Sequence, residues 1–460
     1  MATVNRKVRN IAPKTHEGAR AHRLSPEQQL RRSVLANLLW EDTFYEDGQL
    51  IADRIIRLVG EVPQEFVADL AVEARQEMYL RHVPLLLVRE MAREGGPLVS
   101  ETINKVVQRV DDMTELLALY WRGSKTPLSA QMKKGLAEAF TKFDAYQLAK
   151  YDRPDRIVRP RDVMFLTHPK PKDEDQAEMW KKLANDELDP PDTWEVRLSS
   201  GGDKREHWTN LLTERRLGGL ALLRNLRNMT QAGVDEDLIA RAIEAHPFPR
   251  VLPFRFISAA RHAPDFEPVL EKAMLRAAQS LPKLGGRTAL LVDHSASMKE
   301  KLSKKSTLNR FDAACGLAIL LREICESVKI YAFSAPGAAA YYRRALGVRR
   351  PENDRPPFAK VPPRRGFALA DALDQATPWF GTHTESGKKL PDRDGYDRLI
   401  LITDEQSHQT ISDPLEGARG YVVNVGSYKN GIGYGHWTHI DGWSEHVARY
   451  IVEAENAEVV

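Results

Sequence analysis

This 460-residue chain has very little cysteine and lacks long apolar runs. It holds 2 cysteines, Cys315 and Cys325, and no run of 18 or more apolar residues, so we expect no membrane-spanning helix. Its first residues lack the apolar segment of a secretory signal. The two cysteines lie in one predicted helix, about 15 Å apart along its axis, which is too far for a disulfide. We therefore expect a soluble protein in the reducing environment of the cytoplasm.

The chain also has no large excess of positive or negative charge, since its formal net charge is only +3. The charges are nevertheless unevenly distributed. Residues 121–170 hold 11 Lys and Arg against 5 Asp and Glu, residues 341–365 hold 8 against 2, and residues 1–34 hold 8 against 2. Most charge runs are solvated surface, but three basic clusters in a nearly neutral chain favour a nucleic-acid partner.

The length and the pattern of the chain predict two domains after a short arm. Residues 1–24 are basic and without apolar period, which indicates a flexible basic arm, with an organellar transit peptide as the alternative. Residues 25–284 carry apolar stripes at helical spacing and short links, which predict an α-solenoid of paired helices. Gly285-Gly286 marks the predicted boundary to a second domain, residues 285–460.

The second domain alternates predicted strands and helices, which is typical of a doubly wound α/β fold. Its Pro-rich segment 351–363 is predicted as a loop, because it is too long for a plain connection. The predicted strands are 288–293, 328–334, 398–403 and 420–425, and the predicted helices are 308–326, 368–376, 413–418 and 442–453.

Polar oxygen donors follow two of these strands. Asp293, Ser295 and Ser297 come directly after the first strand, and Asp404 follows the strand 398–403. Carboxylates and hydroxyls at the carboxyl ends of parallel strands are suitable ligands for Mg²⁺, although the two serines are equally consistent with caps of the next turn. The pattern resembles the metal-ion-dependent adhesion site of von Willebrand factor A domains. It departs from that family at Phe367, which stands where a ligating Thr is usual, so the resemblance implies a degenerate site for Mg²⁺.

Two segments of the helical part resemble a second family. Residues 159–171, RPRDVMFLTHPKP, are similar to the R-D-x-x-x-L-x-H-x-K-P segment of TROVE-domain proteins, and residues 220–230, LALLRNLRNMT, are similar to their L-L-R-N-L-x-x-M-T helix. With the A-type domain behind it, the chain resembles a Ro ribonucleoprotein protein. That resemblance implies a non-catalytic ring of HEAT-like helical repeats. The expected partners are small structured Y-like RNA on the outer surface, single-stranded 3′ ends of misfolded or decaying RNA in the central hole, and a ribonuclease.

The candidate RNA-binding residues are basic side chains and one histidine, which can contact phosphates or stack on bases. His168 is also consistent with a cap or core histidine, Arg224 and Arg227 with structural ion pairs, and the arginines of 343–366 with a solvated loop. His207, Trp208 and Trp194 are further candidates for stacking on bases, but core packing is the favoured prediction for both tryptophans. The predicted RNA-binding set is Lys133, Lys134, Arg159, Arg161, His168, Lys170, Arg224, Arg227, Arg349, Arg350, Arg364 and Arg365.

Two other function classes compete with RNA binding. A metal-dependent protein–protein interaction module would use the A-type domain to hold an acidic residue of a partner, but Phe367 argues against it. A nuclease would need clustered acids for two metal ions, and Asp293 and Asp404 are its only candidates.

Overall fold

The chain divides into two compact units, which we call the helical unit and the sheet unit. The helical unit comprises residues 26–40 and 48–246, and the sheet unit comprises residues 1–25, 41–47 and 247–460. The sheet unit therefore begins before the boundary that Gly285 suggested. The computed structural model describes residues 13–15, 18, 21, 23–35, 48–78, 80–199, 201–249, 251, 253–279, 281, 283–302, 306–334, 358–376, 395–406, 411, 413–426, 428, 430–442, 447–448, 451–452 and 455.

The helical unit is built of α-helices with short links, as the apolar period predicted. They are α1 (Pro26–Leu35), α2 (Gly48–Val59), α3 (Gln64–Gln76), α4 (His82–Glu94), α5 (Val99–Val106), α6 (Val110–Tyr120), α7 (Ala130–Phe140), α8 (Ala145–Tyr151), α9 (Pro160–Thr167), α10 (Glu174–Ala184), α11 (Trp194–Ser199), α12 (Lys204–Thr213), α13 (Gly219–Gln231) and α14 (Glu236–Ala245).

Short polar residues set the starts of several of these helices. The Ser129 side chain accepts from the Met132 N–H at the start of α7, and the Asp144 carboxylate accepts from the Gln147 N–H at the start of α8. Asp173 caps α10 in the same way. Such caps satisfy backbone N–H groups that have no partner inside the helix, and each stabilises the fold by about 1 kcal/mol.

The first nine helices stack in two rows. Helices α1, α3, α5, α7 and α9 contact one another in sequence, and α2, α4, α6 and α8 do the same in a second row. Contacts α1–α2, α3–α4 and α4–α5 join the rows. Each helix thus meets mainly its neighbours in the stack, which is the arrangement of a helical-repeat protein. The predicted solenoid is confirmed for this stretch.

The core of the stack lies between the two rows. Helix α4 is its central element, since every residue from Val83 to Ala92 is buried. The apolar cluster runs from Leu30 in α1 to Leu183 in α10. No helix among the described residues is both long and apolar enough to cross a membrane.

The described residues of the sheet unit form a six-stranded sheet. Its strands are β1 (Leu284–Asp293), β2 (Cys325–Phe333), β3 (Phe358–Val361), β4 (Arg398–Thr403), β5 (Arg419–Asn424) and β6 (Trp437–Asp441). They lie in the order β3-β2-β1-β4-β5-β6, all parallel except β3, which runs antiparallel at one edge. The order reverses between β1 and β4, and the carboxyl ends of strands at such a switch point are where open α/β sheets bind ligands.

Helices of the sheet unit pack against this sheet and against one another. Helix α17 (Arg310–Ile324) contacts β1 and β2, and it is buried along nearly its whole length. Helices α15 (Pro253–His262) and α16 (Glu267–Gln279), together with α18 (Phe367–Asp374), also contact α17. The doubly wound α/β fold is thus confirmed, with two helices in this unit that the sequence assigned to the helical part.

Three details of the second domain differ from the sequence prediction. Residues 358–361 form strand β3 inside the predicted Pro-rich loop, because the prolines flank the strand at 356–357 and 362–363 and leave four residues that can pair at an edge. Residues 413–418, predicted as a helix, contain no helix at the positions described. There Gly417 adopts φ +80°, and Pro414 lies where a side chain at Gly420 would be. Strand β6 was not predicted.

The predicted helix 308–326 ends at Ile324, so Cys325 opens strand β2. Cys315 and Cys325 are both buried free thiols, as predicted. Burial raises the pKa of both thiols.

Candidate nucleic-acid interface and strand-end acidic site

Helix α9 carries the first group of predicted binding residues. Pro160 occupies the first turn, where its missing N–H has no role, and the Asp162 carboxylate accepts from the Arg159 N–H at 2.8 Å. Val163 and Thr167 are buried on one side, while Phe165 and His168 are exposed. One side of α9 is therefore packed in the fold, and the other side is open to solvent.

His168 ends α9 in the left-handed conformation, with φ 50° and ψ 56°. Its N–H donates to the Met164 carbonyl at 2.9 Å, which closes the last turn. Glycine is the usual residue at such a position, because a side chain there costs roughly 1–2 kcal/mol. His168 is therefore the C-cap residue of α9, which agrees with the capping alternative, and its side chain is exposed and not part of the core. Strain of this kind is concentrated at functional sites.

Arg159 and Arg161 meet the same acid. Arg159 donates two hydrogen bonds to Asp152, at 2.8 and 2.7 Å, and both arginines form ion pairs with Asp186 at the end of α10. These contacts raise the pKa of Arg159 and lower that of Asp186. Arg159 is mostly buried and ties the segment 152–159 in place, so the geometry favours a structural role for it. Arg161 remains partly exposed.

The neighbouring lysines of the same basic segment are open to solvent. Lys133 and Lys134 are exposed on α7, which packs against α9, and Lys170 is exposed just beyond the end of α9. Lys134 lies 3.9 Å from Glu138, a loose surface pair of little energetic weight. These three lysines and Arg161 thus lie on neighbouring elements of the stack.

Helix α13 carries the second predicted pair. Arg224 and Arg227 are exposed, while Leu222, Leu223 and Leu226 are buried. Asn225 donates from Nδ2 to the Ala221 carbonyl oxygen at 2.9 Å, so its side chain binds the backbone of its own helix.

The tryptophans pack against each other. The rings of Trp194 and Trp208 stack with centroids 5.9 Å apart, and Trp208 is buried. His207 Nε2 lies 2.7 Å from the Gly201 carbonyl oxygen. The predicted packing role is confirmed for Trp208.

The arginines of the Pro-rich segment are described only in part. Arg349 and Arg350 lie outside the described residues. Arg364 is exposed, whereas Arg365 forms an ion pair with the nearly buried carboxylate of Glu323. That pair raises the pKa of Arg365.

The strand-end residues of β1 and β4 come together at the switch point. Asp293 Oδ1 accepts from the Ser295 N–H at 2.8 Å, and its Oδ2 accepts from the Thr403 hydroxyl at 2.6 Å. The hydroxyl oxygens of Ser295 and Ser297 lie 3.1 Å apart. The predicted convergence of Asp293, Ser295 and Ser297 is therefore present, with Asp293 and Ser295 buried and Ser297 partly buried.

Asp404, the fourth predicted ligand, faces a cation of the chain itself. Arg310, the first residue of α17, is 2% exposed. Its Nη1 lies 3.3 Å from Asp404 Oδ2 and 3.1 Å from the Ser297 carbonyl oxygen. The guanidinium thus bridges the two loops that a divalent cation would join.

These contacts are a poor fit to Mg²⁺, which takes oxygen ligands in near-ideal octahedral geometry. Asp404 Oδ1 accepts from the Gln406 N–H, Oδ2 is paired with Arg310, and both oxygens of Asp293 are hydrogen-bonded. Phe367 is buried and brings no oxygen in place of the usual Thr. The Arg310 guanidinium already lies beside Asp404. A divalent cation could therefore bind there only if it displaced this positive charge or overcame its repulsion.

One buried cluster beside this site gave no signal in the sequence. His439 Nε2 lies 2.8 Å from Glu405 Oε2, and its Nδ1 lies 3.3 Å from Asp441 Oδ2. Burial lowers the pKa of His439, but the two carboxylates outweigh it and raise the pKa to about 9. Three such groups within ligand distance can suit a metal ion. Here both ring nitrogens face carboxylates, so a doubly protonated imidazolium accounts for the geometry.

The comparisons with known proteins agree with this arrangement. A family model described as the TROVE domain matches residues 15–187 and 181–316, which include α9, α13 and the Asp293 loop. Among solved structures, the chain is similar to the crystal structure of the Deinococcus radiodurans RO (RSR) protein. The sequence identity is 15%, the TM-score is 0.55, and the match covers 91% of this chain and 97% of that one.

The structural match supports the fold, helical repeats followed by an α/β domain, at an identity too low to carry more. The family match covers well over half of the chain. The chain belongs to the TROVE domain family and is an RNA-binding protein of the Ro type.

Proposed function

We propose that the chain binds small structured, Y-like RNA through the surface around α9, as a non-catalytic component of RNA quality control. The observation that carries the proposal is His168, which is exposed and held in a strained backbone conformation beside a basic stretch. Arg161, Lys170 and the lysines of α7 supply cations for phosphates, and an imidazole can hydrogen-bond to a base or stack on it.

The finer parts of the proposal follow from family membership. Ro proteins hold single-stranded ends of misfolded or decaying RNA and pass RNA to nucleases, so we expect single-stranded 3′ ends and a ribonuclease as further partners. Arg224 and Arg227 on α13, with Arg349, Arg350 and Arg364, are the candidates for that second contact. A cytoplasmic location stays a prediction.

The test is a double substitution, Arg161→Ala with His168→Ala. We expect at least about a tenfold loss of affinity for a structured stem-loop RNA at physiological salt, because a lost hydrogen bond to a charged group is worth about 1.5–3 kcal/mol. Gel shifts measure the affinity, and circular dichroism verifies the fold. The matched control is His262→Ala with Lys272→Ala, an exposed histidine and lysine of the sheet unit. Equal affinity of the parent and of the folded α9 variant would refute the proposal.

The alternative function is metal-dependent adhesion to a protein partner through the strand-end site. The ion pair of Arg310 with Asp404 argues against it, because the partner's acid would need a metal ion that this site does not favour. The two functions differ in their dependence on salt. RNA binding loses affinity steeply as salt rises, since each phosphate contact releases counterions.

A further inference from the structure

Large apolar side chains that remain exposed are few in the described part of the chain, and they are unevenly distributed. Of seven such residues, three lie in the basic segment 121–170: Tyr146, Ile157 and Phe165. Scattered exposed apolar residues need no explanation, but their concentration among positive charges does. Phe165, in the middle of α9, is 56% exposed.

Phe165 stands between the two α9 residues that the proposed function uses. It follows Arg161 by four residues, and residues so spaced share one face of a helix. His168 lies three residues further on, as the left-handed C-cap just beyond the helix. The opposite face, with Val163 and Thr167, is buried. One solvent-facing stripe of α9 therefore presents a guanidinium and a phenyl ring, and an exposed imidazole follows at the end of the helix.

We propose that the Phe165 ring is a stacking platform for an unpaired base of bound RNA, with Arg161 and Lys170 on the flanking phosphates. This inference rests on the proposed function and adds a ligand class to it. A bare phenyl ring offers a base a π-face but no hydrogen bond, so the contact tolerates any base. A base within a duplex has both faces covered by its neighbours, so the platform selects unpaired nucleotides, such as those of a loop, bulge or single-stranded end.

The surrounding charge favours RNA over a protein as the occupant of this face. The segment holds 11 basic against 5 acidic residues, and Asp186 is the acid that both Arg159 and Arg161 contact. An apolar protein contact would leave those cations opposite a surface without matching charge. A nucleic-acid strand presents alternating phosphates and rings, and it matches both features of the stripe.

The experiment compares Phe165→Ala, Phe165→Leu and Phe165→Trp in the full chain. The probes are a single-stranded oligouridylate and a blunt RNA duplex of equal length. Leu50→Ala serves as the control, since Leu50 is an equally exposed apolar residue on α2, outside the basic segment. Alanine substitution of a stacking ring weakens binding by about 1–3 kcal/mol per base, so Phe165→Ala should lower affinity for the single strand about tenfold. Phe165→Leu should lose nearly as much, and Phe165→Trp should retain affinity and show quenched fluorescence on binding.

The slope of log affinity against log salt separates this inference from the proposed function. Phe165→Ala removes no charge, so its slope should equal that of the parent, whereas Arg161→Gln should flatten it. If the parent binds neither these probes nor the structured stem-loop RNA, the proposed function fails and this inference with it. If the parent binds the stem-loop RNA but not the single strand, this inference alone is overturned. If the parent binds the single strand and Phe165→Ala or Phe165→Leu binds it equally well, the stacking platform alone is overturned. The ring would then be a protein contact or bare surface.

Discussion

The α9 surface and the strand-end site differ in how their charges are satisfied. At the strand ends, Asp293 and Asp404 are buried and each oxygen has a partner within the fold. On α9, a histidine is held in a strained conformation, and an aromatic ring and several cations stay in water. A polar cluster whose atoms are all paired within the fold needs no ligand, whereas exposed cations and an exposed ring keep their contacts available for one. Ligand-like residues therefore identify a functional site only when their own contacts are known.

The substitution with the largest expected effect is Arg310→Met, which breaks the buried ion pair of the strand-end site. Removal of one partner from a buried ion pair leaves the other charge uncompensated, so we expect a loss of about 3–5 kcal/mol in the free energy of unfolding. Urea denaturation measures it. Adding Asp404→Leu should restore most of the loss, since apolar pairs replace buried ion pairs well. A parent chain that is destabilised by a chelator and restored by Mg²⁺ would show that a metal ion, and not Arg310, balances the site.

The second test uses the buried His439 beside the strand ends. Glu405 and Asp441 face its two nitrogens, the Tyr434 ring stacks on it at 4.4 Å, and Asn424 donates to Asp441. Its folded pKa of about 9 lies above the ordinary value of 6.5, so the folded state holds the proton more tightly. The stabilisation is complete below pH 6.5 and is lost as the pH rises through about 9. Its full size is on the order of 3 kcal/mol.

Urea denaturation at pH 6.5, 8 and 9.5 measures this dependence. His439→Gln is the control, because it fills similar space without a titrating proton and should flatten the curve between these values. A parent whose stability is constant over the same interval would contradict an imidazolium between the two carboxylates.

The smallest expected change in stability is at His168, where the consequence for binding is large. Glycine relieves the left-handed strain, so His168→Gly should unfold no more easily than the parent, with a gain of up to about 1 kcal/mol. It should nevertheless bind structured RNA more weakly, because the imidazole is gone. His168→Asn, which also tolerates this conformation, separates backbone from side chain. If His168→Gly binds RNA as tightly as the parent, the imidazole does not contact RNA. The α9 surface would then resemble the strand-end site, which needs no ligand.

The sequence predicted elements whose signals are local. The apolar period of the helices, the β1 run and the two TROVE segments are each contained within a few dozen residues. What it missed depends on residues that are distant in the chain. Arg310 is 94 positions from Asp404, and His439 is 34 positions from Glu405. Neither residue stands in a motif, so its pairing follows only from the sheet order. Strand β3 was missed because prolines at 356–357 and 362–363 dominate the local pattern.

The two-row stacking of the helices determines how a local loss of stability spreads through the helical unit. In such a stack, stability is transmitted from neighbour to neighbour, so a defect in α1 reaches α9 only through three intervening helices. These are α3, α5 and α7 along one row, or α2, α4 and α6 along the other. Helix α9 is the last member of its row and has a neighbour in that row on one side. Its amides should therefore exchange with solvent hydrogen sooner than those of the central helix α4. The surface that we assign to RNA can then loosen and tighten on its own, while the middle of the stack keeps its shape.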